Sequence, residues 1–120
     1  MDNAEKNRFV KKKITDALLT LLETEELKGI SVSRIAADAG VSRISFYRNY
    51  KDKEDILRTY TKELMADWTA KHNPDNMHPE QDILADIFTY LIDYKDFFLL
   101  LRKRNLFYLL KDIIMEICGP

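Results

Sequence analysis

Apolar residues recur at helical spacing along most of the chain. Val10, Ile14, Ala17, Leu18, Leu21 and Leu22 share one face and predict a helix over residues 6–23. Gly29 closes the loop that follows. Ser31 precedes Val32-Ser33-Arg34-Ile35-Ala36-Ala37 and suits the N-cap of a short second helix, where its hydroxyl accepts from an orphan backbone N–H. Gly40 offers the positive φ that a tight turn needs. Ser42 then caps a third short helix over 43–49. Asp52 caps a fourth over 53–70, which carries Ile56, Leu57, Tyr60, Leu64 and Trp68.

Residues 72–79 read as a linker, His72-Asn73-Pro74-Asp75-Asn76-Met77-His78-Pro79, with its prolines ending one helix and starting the next. Ile83, Leu84, Ile87, Phe88 and Leu91 predict an amphipathic helix beyond it. A charged break at 93–96 leads into Phe97-Phe98-Leu99-Leu100-Leu101, and a last helix carries Leu106, Leu110, Ile113, Ile114 and Ile117. The 97–101 run is apolar on every side, which leaves it either centrally buried or an interface. There are no internal repeats.

Composition narrows the class. The chain has 120 residues, 46% hydrophobic and 32% charged, with only 3 Gly and 3 Pro. That is too apolar for disorder and too poor in turn residues for an all-β fold, so the expectation is all-α. No apolar run approaches the ~18 residues of a membrane span, and the polar start is unlike a signal peptide, which points to the cytoplasm and no membrane. Cys118 alone can form neither an internal disulfide nor a cysteine-based zinc site. His72 and His78 have only Asp75 and Glu80 nearby and read as solvated loop histidines, so no metal and no cofactor is expected. No Ser/His/Asp or Cys/His grouping, no Gly-rich phosphate loop and no poised carboxylate pair indicates an enzyme.

Net charge is -1, but the average hides a gradient. Between positions 41 and 53, Arg43, Arg48, Lys51 and Lys53 face Asp52 alone. A basic segment on a neutral protein suggests a local anion contact, although a solvated helix face has the same signature. The second and third helices, joined by Ala39-Gly40-Val41, have helix-turn-helix proportions. Ala36 and Ala39 let the two helices approach, and a side chain at Gly40 would both strain the turn and push them apart. Val41, Phe46 and Tyr50 can face the first helix, which leaves Arg43, Ile44, Ser45, Tyr47, Arg48 and Asn49 outward. Guanidiniums, a phenol, a hydroxyl and an amide on one short helix suit a major-groove reader.

Ile35-Ala36, then Ala39-Gly40-Val41-Ser42, then Phe46-Tyr47, Tyr50 and Asp52-Lys53-Glu54 with Leu57 resemble the DNA-binding signature of the TetR family of bacterial transcriptional regulators. The resemblance covers residues 8–68. It implies a three-helix DNA-binding domain with a connecting fourth helix (residues 6–70) and a helical regulatory and dimerisation domain, here incomplete (79–120). Arg43 matches a frequent groove cation, Ser45 a usual Thr, Tyr47 a phosphate-contacting Tyr, and Asn49 a position often held by His. Val32 replaces a phosphate-contacting hydroxyl, so Ser31 or Ser33 serves there if either does. Lys53 adds positive charge at the start of the fourth helix, where phosphate is already favoured. Ile44 departs from the usual Gly or Ala; it either touches a thymine methyl or packs inward.

The implied function is a sequence-specific regulator, a ligand-responsive repressor that binds a pseudo-palindromic double-stranded DNA operator as a homodimer. The chain is short for such a regulator, being either truncated or naturally small. Trp68, Phe88, Tyr94 and Phe98 are candidates to line a small-molecule inducer pocket, against the ordinary reading of such aromatics as core. The competing function is a helical protein-interaction module with a vestigial helix-turn-helix.

Overall fold

The computed structural model describes residues 3–71, 89 and 92–118. Among the described residues every regular element is a helix. They are α1 (Asn3–Leu22), a 3-10 turn (Leu27–Gly29), α2 (Val32–Ala39), α3 (Arg43–Asn49), α4 (Lys53–Lys71), α5 (Lys95–Lys103) and α6 (Tyr108–Cys118). The all-α expectation holds. The predicted helix over 83–91, the linker and its two histidines lie outside the described residues, save Thr89, which is helical. The chain divides into two compact units, Met1–Thr59 and Tyr60–Pro120, and the division falls within α4.

The first unit is built on α1, α2 and α3, which pack pairwise. Ile14, Leu18 and Leu22, four residues apart on α1, are completely buried, as are Ile35 of α2 and Phe46 of α3. Phe46 is the largest of these side chains, and truncating it to Ala would cost about 3–5 kcal/mol.

Local chemistry sets the helix ends. Ser31 Oγ accepts from Arg34 N at 3.1 Å, and Ser42 Oγ accepts from Ser45 N at 3.0 Å. Asp52 Oδ1 accepts from Asp55 N at 2.7 Å, while Asp55 Oδ2 accepts from Lys51 N at 3.0 Å. Each cap answers one orphan donor and contributes roughly 1 kcal/mol. All three were legible as Ser or Asp ahead of a helix.

Helix α2 stops at Gly40, whose φ is 72°. Gly40 N donates to Ala37 O (3.1 Å) and Val41 N donates to Ala36 O (3.0 Å), the paired bonds of a Schellman cap. One expectation is corrected here: a Cβ placed on Gly40 meets no heavy atom within 4 Å. The glycine serves the backbone conformation and not the spacing of α2 and α3.

In the second unit Thr61, Trp68, Phe97, Phe98, Leu101, Leu109 and Ile113 are buried, and Tyr60 meets Phe97 edge to face at 4.9 Å. The apolar run at 97–101 is two-sided after all: Leu99 is 57% exposed while its neighbours at 97, 98 and 101 are covered. Helix α5 ends with Asn105 at φ 59°, where Asn105 N donates to Arg102 O and Leu106 N to Leu101 O. That repeats the cap after α2, with asparagine in the place of glycine, the side chain that tolerates this conformation best after Gly.

Candidate nucleic-acid interface

Helix α3 turns by about 100° per residue, so positions 43, 44, 47 and 48 fall within an arc of about 140° and 46 lies outside it. Arg43, Ile44, Tyr47 and Arg48 are all exposed and line an open hollow of about 500 Å³. Phe46 and Tyr50 are buried, at 0% and 3% exposure. The Tyr47 ring stands edge-on to Phe46 with centroids 5.2 Å apart, so an exposed phenol is oriented by a fully buried ring.

The six residues expected outward thus separate into four and two. Ser45 and Asn49 lie on the flank, half-buried, and Asn49 Nδ2 donates to Ser45 O at 2.9 Å. Asn49 therefore braces its own helix with one amide proton and retains the other and its carbonyl oxygen for a ligand. Ile44 does not pack inward: it is 68% exposed, which removes one of the two alternatives open at the sequence level.

Ser31, Ser33 and Ser42 are exposed at the starts of α2 and α3. As caps, Ser31 and Ser42 use an oxygen lone pair and keep the hydroxyl proton as a donor.

Lys53 is placed differently from the expectation of a phosphate contact. Its ammonium donates to Leu27 O at 2.6 Å and Ile30 O at 2.8 Å, and the residue is half-buried. Two of its three N–H donors are therefore held by the turn that leads into α2. Glu54 and Asp55 in the first turn of α4, with Asp52 at its cap, also answer the positive helix end with the protein's own carboxylates.

Cations sort into paired and available. Arg34 on α2 forms a bidentate ion pair with Glu25, and the hydrogen bond to that carboxylate raises a guanidinium pKa that is already high. This pair was missed from sequence because its members lie nine positions apart across the turn, with no local spacing rule to join them. Among the described residues, neither Arg43 nor Arg48 enters an ion pair. The exposed face of α3 is thus two unneutralised guanidiniums about an aliphatic and a phenol. Lys11 adds a cation 5.9 Å from the Tyr50 ring at the far end of α3.

Of the residues considered for a small-molecule pocket, Trp68 and Phe98 are buried and the Tyr94 hydroxyl donates to Asp67 Oδ2 at 3.0 Å; Phe88 lies outside the described residues. Among the described residues no group of three His, Cys, Asp or Glu is arranged to hold a metal, and no helix is long and apolar enough to cross a membrane.

A short helix capped at its start, set on a left-handed turn and presenting arginines outward defines a helix-turn-helix protein. Residues 14–60 match the bacterial regulatory proteins of the tetR family. It is 25% identical over 111 residues to the uncharacterized HTH-type transcriptional regulator YxbF of Bacillus subtilis, covering 86% of this chain and 29% of that protein. It is 26% identical over 87 residues to the HTH-type transcriptional regulator SAB2452 of Staphylococcus aureus, covering 71% of this chain and 47% of that one. The chain spans less than half the length of either relative. No solved structure matches it.

Proposed function

We propose that the chain is the DNA-reading part of a transcriptional regulator that binds a pseudo-palindromic operator as a homodimer and represses until a ligand releases it. The observation that carries the reading is the pair of unneutralised guanidiniums, Arg43 and Arg48, on the exposed face of a helix whose other face is locked into the core by Phe46. Arg43 reads a base edge, with Ser45 beside it. Tyr47, Arg48, Asn49 and the hydroxyls of Ser31, Ser33 and Ser42 hold phosphates. Lys53 acts chiefly through the turn it braces.

One seven-residue helix offers few base contacts, and specific recognition in a genome therefore calls for two copies about one helical turn, ~34–36 Å, apart. Leu99, Phe107, Tyr108 and Met115 are large apolar side chains left exposed in the second unit, which supports its use as the surface that meets the second copy. An inducer near Trp68, Phe88, Tyr94 and Phe98 is the regulatory half of the proposal. The same exposed residues favour the second reading, docking of an unrelated protein.

The test is a gel shift of the 120-residue protein on the intergenic DNA upstream of its own gene. Salt-dependent, sequence-selective retardation that Arg43→Ala weakens and makes less selective supports the reading. Equal, weak retardation of every duplex by both proteins would defeat it.

A further inference from the structure

Ile44 stands between two guanidiniums on the outward face of α3 and, at 68%, is more exposed than any other large apolar residue among the described residues of the first unit. Its neighbours on that face, Arg43, Tyr47 and Arg48, are all polar or charged. An isolated aliphatic side chain in a cationic surface suits a partner that is anionic at its rim and apolar at one point. Base edges in the major groove supply donors and acceptors at every pair, but only one of the four bases adds an apolar group there: the C5-methyl of thymine.

From this we infer that Ile44 is a specificity-determining residue, selecting thymine at one position of each half-site by contact with the C5-methyl. The inference rests on the DNA-binding reading and goes beyond it by assigning a base. The flanking guanidiniums set the geometry. Each is anchored one position from Ile44 or four positions on, so engagement of a guanine edge or a phosphate by either carries the isoleucine into the groove. Tyr47, three positions on and oriented by Phe46, borders Ile44 on the same face.

The experiment selects duplexes from a random-sequence library with the full 120-residue chain, then replaces each thymine of the enriched duplex, one at a time, by deoxyuridine. That change removes a methyl and leaves every hydrogen-bonding group in place. The expected result is one thymine per half-site whose replacement weakens binding about fourfold, the equivalent of one buried methyl. The loss vanishes in Ile44→Ala, which binds the thymine and uracil duplexes equally. Because Ile44 is exposed, that variant should melt with the parent. An enriched sequence with no methyl-sensitive thymine, or with a methyl effect that survives in Ile44→Ala, overturns the inference and leaves the DNA-binding reading standing. Failure to enrich any sequence overturns both.

Discussion

Gly40 and Gly29 make a matched pair on which the account of the turn can be tested. Both have open space where a Cβ would sit, but only Gly40 lies at positive φ. Replacing either by Ala reduces the freedom of the unfolded chain, which stabilises by about 0.4–1 kcal/mol. At Gly29 nothing opposes that gain. At Gly40 the left-handed conformation costs an L-residue about 1–2 kcal/mol. The Gly29→Ala protein should therefore be at least as stable as the parent and the Gly40→Ala protein less stable. Their difference isolates the backbone strain, about 1–2 kcal/mol, or roughly 4–16 °C in melting temperature for a domain of this size. Thermal and urea melts followed by circular dichroism measure it. Gly40→Asn should recover part of the loss, because Asn105 holds the same conformation in the same kind of cap. If the two alanine variants melted together, the Schellman turn after α2 would not be the reason for glycine at this position.

Three further outcomes follow from the same geometry. Lys53→Ala takes the ammonium donor from the Ile30 carbonyl and leaves that of Leu27 with the Ile30 N–H alone, and should cost about 1–3 kcal/mol of stability in urea melts, while the salt slope of DNA binding changes by well under one unit. Arg48→Ala should lower that slope by about one unit at unchanged sequence preference, whereas Arg43→Ala should cost ~1–3 kcal/mol on the preferred duplex and relax it at one base, both read from binding titrations across salt. Ser42→Ala removes the cap of α3 and should destabilise by about 0.5–2 kcal/mol, and Ser42→Asp should restore it in the same melts.

What the sequence made legible was short in range. Ser31, Ser42, Asp52 and Gly40 act on backbone groups within four positions of themselves, so their roles follow from spacing, and the bounds of α3 came out as 43–49. The face carrying Arg43, Ile44, Tyr47 and Arg48 was also legible, because helical rotation gathers these four and sets Phe46 apart, whereas Tyr50 is turned to the core by extended backbone past the helix end. What escaped depended on contacts across turns. The Lys53 ammonium reaches carbonyls 23 and 26 positions back, and Arg34 reaches Glu25 across the 3-10 turn. Ser45 and Asn49 were assigned outward because polar side chains ordinarily face water. Their position at the edge of the buried face, with an amide bonded back to the helix, is set by packing that no local pattern encodes.

The Lys53 brace also bears on the order in which the chain can fold. The turn at Leu27–Gly29 sits between α1 and α2, yet the carbonyls of Leu27 and of Ile30 just past it accept from the ammonium of a residue at the start of α4. Closing a flexible segment of that length costs about 3 kcal/mol of chain entropy beyond a constant, whereas the caps at Ser31 and Ser42 close within three residues. The helix-turn-helix therefore has fast local steps and one slower long-range step that completes its entry loop. On a ribosome, α1, α2 and α3 can form as they emerge, but the segment that aims α2 waits for α4 to begin. A fragment ending at Tyr50 would therefore hold its three helices with that loop unbraced.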